Sequence, residues 1–503
     1  MDEAAAARKL SRLEHHRSVG DELSFQMENL PEEIQPVVMS LLPLKEAVRT
    51  SIVARSWRML WRFHTNLCFH GPNDLDYNSD EYDGIDEQAI DDFMKIKRAK
   101  FIEDVNWVLE RHCGIGINKF SIRCGLHKDD FNHLDSWIRF AASSKAKIIE
   151  FDLKISNACP SNEVHHFPLE AFDVQGSSFV QSLFLADVSV KPHSDIRGFT
   201  MLRRLVLEYV KIFGDFPGLL ANCSALGELE IIRCSGVTNL SIPHKLDKLH
   251  HLLIHRMDVE MIEFHAANLA YFEYKGGVIP VVLHGCSKLE KATICFYADK
   301  GLGHAFTAVP SILPVKILNV AAYIIGYEQL QKLPTRSCGV FLHLRHMTCQ
   351  LAVLNSAQHA DDGVLQLAYC LDIAPQLETL HLDDIMDYFD RLIASFEMQM
   401  VYLHFKDCKC DEVAAEQGSY MRRHDHLKTV YISGFRLYKA QTKLACCILA
   451  NASVLEHLEI TTRFGSGIGP MLNYGLMAEV CKWAHLASER FGKVITVLDA
   501  SSE

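Results

Sequence analysis

Hydrophobic residues recur along this chain in one short phrase, apolar at the first, fourth and sixth positions with polar residues between. It reads Leu202-Leu205-Leu207 in MLRRLVLEY, Leu226-Leu229-Ile231 in ALGELEII and Leu249-Leu252-Ile254 in KLHHLLIH. It returns as Leu377-Leu380-Leu382 in QLETLHLDD and Leu455-Leu458-Ile460 in VLEHLEITT. Looser copies start at Ile117, Ile148, Val180, Leu269, Leu289, Val315, Leu344, Met398 and Leu427, so successive starts fall 20 to 33 residues apart. The fourth and sixth positions share one face of an extended strand, which predicts a short strand in each copy. With 49% apolar residues, chance satisfies the loose phrase about once in eight positions. The weight therefore rests on the five triples built only of Leu and Ile. The phrases around them, NCSALGELEI, GCSKLEKATI, APQLETLHL and NASVLEHLEI, repeat too.

A phrase of this form at a period of about 20–29 residues resembles the leucine-rich repeat. The resemblance implies a solenoid in which each unit gives one strand to a parallel sheet and returns through an irregular or helical segment. No single unit buries its own leucines, so neighbours stack into a continuous core. The asparagine or cysteine expected after the third apolar position is matched by Cys234 in IIRC and is otherwise mostly missing. Irregular repeats with variable return segments follow from that. Ahead of the repeats, MKIKRAKFIEDVNWVLERH (94–112) places Phe101, Val105, Val108 and Leu109 at helical spacing. After them, MLNYGLMAEVCKWAHLASERFGK (471–493) also has helical spacing and suits a cap on the open end.

The chain has 503 residues and a net charge of −12. That balance argues against nucleic acid as a partner, because phosphate binding wants a basic face. No apolar run is long enough for a spanning helix, and the polar opening MDEAAAARKLSRLEHHRSVGDE does not read as a signal peptide. The 16 cysteines are scattered, several within apolar runs as in ATICFY and ACCILA. They read as buried free thiols in a reducing, intracellular setting, cytoplasm or nucleus. Cys408 and Cys410 in KDCKCDE lack the second ligand pair that a zinc site needs, and the 26 histidines contain no HExxH. His251 and His255 fall in a strand, where their spacing does not make a metal face. GLGHAF (301–306) lacks the third glycine of a phosphate loop, and no GxSxG, Walker A or kinase motif is present. The acidic pairs Asp361-Asp362 and Asp383-Asp384 read as solvated turns. The expectation is a non-enzyme with no catalytic residue, no metal and no cofactor.

The most informative segment is LPEEIQPVVMSLLPLKEAVRTSIVARSWRMLWRFHTNLCF (30–69). It resembles the F-box, the helical module that docks a substrate receptor onto the Skp adaptor of a cullin–RING ubiquitin ligase. The matching residues are Leu30-Pro31-Glu32, the Ile34/Val38/Leu41 apolar face, Leu42-Pro43, Ala47-Val48-Arg49, Val53, Arg55, Trp57-Arg58 and Trp61. Leu30-Pro31 is expected to open a helix, where the missing N–H costs little, and Pro43 to end it. Pro36 departs from the pattern, because inside that first helix it removes one backbone hydrogen bond and predicts a kink. A second stretch, HDHLKTVYISGFRLYKAQTKLACCILANASVLEHLEITTR (424–463), resembles the FBD region of plant F-box proteins and reads as strand, turn at Gly434, helix, strand.

The sequence thus predicts an α/β chain: a small all-helical F-box, an irregular leucine-rich-repeat solenoid with parallel strands on its concave face, an FBD-like unit and a capping helix. Its expected divisions are a polar tail (1–25), the F-box (26–70), an acidic linker (71–93), the solenoid (94–423), the FBD-like region (424–465) and the C-terminal capping segment (466–503). The resemblance implies a substrate receptor of an SCF-type ligase, the F-box holding the Skp adaptor and the repeats a protein target. It assigns the adaptor surface to Leu30, Pro31, Ile34, Leu42, Pro43, Leu44, Val53 and Trp57, some of which must be internal to the module. The alternative is a protein-binding scaffold with a degenerate F-box and no role in ubiquitin transfer. Neither reading involves a membrane or nucleic acid.

Overall fold

The computed structural model describes residue 31 and residues 34–53, 56–72, 87–154, 164–173, 178–296, 314–325, 340–354, 371–384, 423–437, 439–462 and 474–498. Among them, fifteen strands form one wholly parallel sheet in strict chain order. They are Asn66–His70, Lys119–Arg123, Ile148–Asp152, Ser182–Ala186, Arg204–Glu208, Glu228–Ile232, His251–His255, Tyr271–Gly276, Lys291–Phe296, Ile317–Ile325, His346–Leu354, Thr379–Asp384, Thr429–Ile432, His457–Thr461 and Ile495–Leu498. Strict order means each strand pairs only with its sequence neighbours in the array, as a solenoid requires.

The recurring phrase explains the sheet. In all five Leu/Ile triples the three residues are buried. The fourth positions lie side by side across strands: Leu183, Leu205, Leu229, Leu252, Phe272 and Ala292 occupy one ladder. The sixth positions Leu185, Leu207, Ile231, Ile254, Tyr274 and Ile294 form the next. Each buried side chain of this size contributes about 1.5–3 kcal/mol, so stacking identical positions gives every repeat a cohesive interface with its neighbours. Towards the N-terminal end aromatic rings take over the core: Phe120 meets Phe151 at 5.8 Å and Phe151 meets Phe167 at 5.4 Å.

One loose copy is out of phase. In the strand Ile148–Asp152 the inward residues are Ile149 and Phe151, aligned with Phe120 and Ile122. The phrase therefore starts at Ala146, not Ile148, because its buried first position is an alanine. Met398 lies outside the described residues. Cys234 does what the consensus polar residue would do: its buried Sγ donates to the Leu207 carbonyl of the preceding repeat at 3.4 Å. Asp187, Tyr209 and Arg233 each follow a strand with φ between 52° and 57°, and their N–H groups donate to Glu208, Ile232 and His255 carbonyls. Each thereby ties its repeat to the next.

Several return segments differ from expectation. Instead of only helix or irregular chain, two three-stranded parallel sheets appear: His165–His166, Val188–Val190 and Lys211–Ile212, and then Asn239–Lys245, Met261–His265 and Val281–His284. In the second of these sheets the returns between long-sheet strands run only 14 to 18 residues, and each pairs with its neighbour in extended form. Helical returns are Glu87–Arg111, Phe131–Ser143, Phe216–Ala221, Lys439–Asn451 and Tyr474–Phe491. Asp215 caps the short one, its side chain accepting from the Gly218 N–H at 2.8 Å.

The helix Glu87–Arg111 begins inside the stretch read as linker, and the strand Asn66–His70, inside the stretch read as F-box, is the first strand of the sheet. The expected C-terminal helix is present at Tyr474–Phe491, and it is followed by an edge strand, Ile495–Leu498, with Val494 and Leu498 exposed. In the FBD-like region the order is strand Thr429–Ile432, Gly434 at φ 68°, helix Lys439–Asn451 and strand His457–Thr461. No helix of the described residues is long and apolar enough to cross a membrane.

Candidate functional site

The N-terminal module has two short helices, Gln35–Met39 and Leu44–Val53, then a tighter helical run at Ser56–Phe63. Pro31 precedes the first helix; its carbonyl accepts from the Ile34 and Gln35 N–H groups. Pro36 is the second residue of that helix, in the first turn, where backbone N–H groups have no intrahelical partner. It therefore costs no helical bond there and need not kink the helix. Pro43 closes the turn and its carbonyl takes the Glu46 and Ala47 N–H groups at 2.9 Å, starting the second helix.

Met39, Leu44, Ala47 and Trp61 form the buried side of the module. Their opposite numbers face water: Ile34 is 45% exposed, Val37 59%, Leu41 80% and Leu42 39%, with Met59 and Phe63 also exposed. Among the residues assigned to the adaptor surface, Pro31, Ile34, Leu42 and Pro43 are thus on the outside. Leu44 is inside, so it supports the module and does not line its surface. Leu30 lies outside the described residues, as do the side chains of Val53 and Trp57. The residues assigned to the adaptor surface from sequence did not include Val37, Leu41, Met59 and Phe63, all of them exposed. The Ile34/Val38/Leu41 spacing supposes a helix through Leu41, whereas the helix ends at Met39 and the chain turns.

Buried histidines clamp this module to the sheet. His64 Nδ1 accepts from the Asn66 N–H at 3.1 Å, which leaves Nε2–H to donate to the Leu42 carbonyl at 2.9 Å. His112 repeats the arrangement: Nδ1 accepts from Gly114 N–H and Nε2 reaches the His64 carbonyl, both at 3.0 Å. Burial holds the His112 imidazole below its ordinary pKa, with the His64 carbonyl opposing that shift. Trp61 stacks on Trp107 of the long helix at 5.3 Å, and the Arg62 side chain donates to the Arg111 carbonyl. The exposed Leu41-Leu42 corner is therefore fixed in orientation relative to the repeats.

The solvent-facing side of the long sheet carries the residues between the ladder positions. Near the first strands it is a lattice of charges: Lys119 on Glu150 at 2.7 Å, Lys154 on Glu208 at 2.8 Å, Arg204 on Glu230 at 2.9 Å. In mid-array, Glu273 is buried beneath three donors, His255 and Lys275 at 2.7 Å each and the Tyr271 hydroxyl. Burial alone would raise the Glu273 carboxyl, but these hydrogen bonds and the Lys275 charge hold it well below the usual carboxylate range. Burial and the Glu273 contact push the Tyr271 phenol up to about 12. Further along, His381 stacks on Tyr431 at 4.3 Å.

A small helical module with an unpartnered apolar corner, held rigidly at the head of a leucine-rich parallel solenoid, defines an F-box/leucine-rich-repeat protein. Residues 108–468 match the family described as At1g61320/AtMIF1, LRR domain, and residues 27–68 match the F-box domain. The chain belongs to that leucine-rich-repeat family, with an F-box ahead of the repeats. Relatives in Arabidopsis thaliana agree. The chain is 25% identical to the F-box/LRR-repeat protein At1g56400 over 74% of its own length and 76% of the relative's. It is 36% identical to the F-box/LRR-repeat protein At3g58940 over 22% of its length, and 26% identical to the F-box/FBD/LRR-repeat protein At1g66290 over 42%. The last two matches span only 16% and 40% of those relatives. The domains make the chain a protein-interaction adaptor.

Proposed function

We propose that this chain is the substrate-recognition subunit of an SCF-type ubiquitin ligase. In this reading the F-box binds a Skp adaptor through Ile34, Val37, Leu41, Leu42 and Pro43, and the sheet face binds a protein target. The observation that carries it is the exposed Leu41-Leu42 corner on a module clamped to the solenoid by His64 and His112. An apolar corner left in water favours a partner that covers it. The clamp makes the distance between adaptor and target a property of the fold, which keeps target lysines near the charged ubiquitin-carrying enzyme. No residue of this chain performs covalent chemistry in this scheme.

Co-expression with a plant Skp adaptor tests it, comparing wild type with a Leu41→Asp, Leu42→Asp double variant. Both residues are exposed, so the variant is expected to fold and to lose the adaptor. Retention by the variant, or no capture by folded wild type, would leave a protein-binding scaffold without a ligase role.

A further inference from the structure

Three side chains on the outward face of the second small sheet converge as no sequence motif announces. Glu263 and His265 sit two residues apart on the strand Met261–His265, pointing the same way. His284 ends the next strand, Val281–His284, and pairs in register with His265. The two imidazoles are stacked 4.3 Å apart at 17°, and Glu263 Oε1 lies 3.0 Å from His284 Nε2. One ligand atom from each of the three lies within 4.8 Å of the other two.

The geometry points to a binding site for a divalent transition metal of the zinc class, held by Glu263, His265 and His284. Two imidazole nitrogens and one carboxylate suit zinc, cobalt or nickel in preference to calcium or magnesium, which favour all-oxygen sets. Three protein ligands leave at least one position for water or for a partner's side chain. The carboxylate is already oriented: Ser241, on the strand Asn239–Lys245, donates to its other oxygen at 2.6 Å. That is the kind of outer contact that aims a metal ligand. Because the ligands come from adjacent strands in register, a bound ion would clasp two neighbouring repeats without moving either backbone.

The test is a zinc titration of the chelator-stripped full chain at pH 7.5, with magnesium and calcium as controls. The other histidines and cysteines make weak background binding inevitable, so the reading is the difference between wild type and a His265→Gln, His284→Gln double variant. Expected are one tighter equivalent in wild type that the variant lacks, no competition from a hundredfold excess of magnesium or calcium, and a zinc-dependent rise in Tm confined to wild type. Ser241→Ala should bind zinc about 10- to 100-fold more weakly. Substituting cobalt should give a visible d–d band in wild type alone. Equal stoichiometry and equal Tm response in folded wild type and variant would overturn the site, as would the absence of any tight equivalent.

Discussion

Adjacent leucines in the strand His251–His255 give a direct test of the register. Leu252 is 0% exposed and sits on the inward ladder between Leu229 and Phe272. Leu253 points the other way, half-buried between Glu230 and Glu273 on the solvent-facing side. Leu252→Ala removes three buried carbon groups at about 0.8 kcal/mol each and leaves a hole the rigid neighbours fill only partly. The expected cost is about 3–5 kcal/mol. Leu253→Ala keeps the interior intact and should cost under about 1 kcal/mol. Urea denaturation followed by circular dichroism, with midpoints and slopes compared, measures both. A solenoid can lose cooperativity when one interface is weakened, so a lower slope for Leu252→Ala alone is consistent as well. Equal losses, or a larger loss for Leu253→Ala, would refute the assignment of faces.

Because the folded-state pKa of Glu273 is depressed, its stabilisation is full above the unfolded value and lost as pH falls; acid unfolding below about pH 4.5 should be shallower in Glu273→Gln, and an unchanged slope would count against the three-donor cluster. The folded-state pKa of His112 is also depressed, so the unfolded chain takes up its proton first and stability should begin to fall as pH drops below about 6.5. A thermal-melt series from pH 7.5 to 5 checks this, and flat Tm values would contradict it. Burial pushes the thiols of Cys223 and Cys234 up to about 12, whereas Cys481 is exposed. Peptide-resolved alkylation at pH 8 should therefore label Cys481 in the native protein, and Cys223 and Cys234 only after denaturation; native labelling of Cys234 would show that its repeat opens.

The sheet was legible because a strand phrase repeated at one period leaves only one way to bury its leucines. It failed at Ile148, where an alanine holds the buried first position and two isoleucines in a row hide the phase. The F-box was legible from Leu-Pro, Leu-Pro and Trp spacing, but which apolar residues face outward was not. That depends on a helix of five residues ending at Met39, which turns Leu41 into water. The Glu273 cluster and the Glu263–His265–His284 group were illegible for a different reason. Their members come from adjacent strands about one repeat apart, and only the register brings them together. His251 and His255, four apart in sequence, point the same way yet sit two pleats apart, as the strand reading required.

The central claim is that the Leu41 corner is a docking surface, and an equilibrium affinity measurement with a purified plant Skp adaptor tests it most directly. Wild type would be compared with Leu41→Ala and with Phe213→Ala, an apolar residue of the solenoid that is 56% exposed. Burying a leucine that is 80% exposed is worth about 1.5–2.5 kcal/mol, so Leu41→Ala should raise Kd roughly 10- to 70-fold. Phe213→Ala should leave Kd unchanged. Equal affinity in all three proteins would contradict the claim.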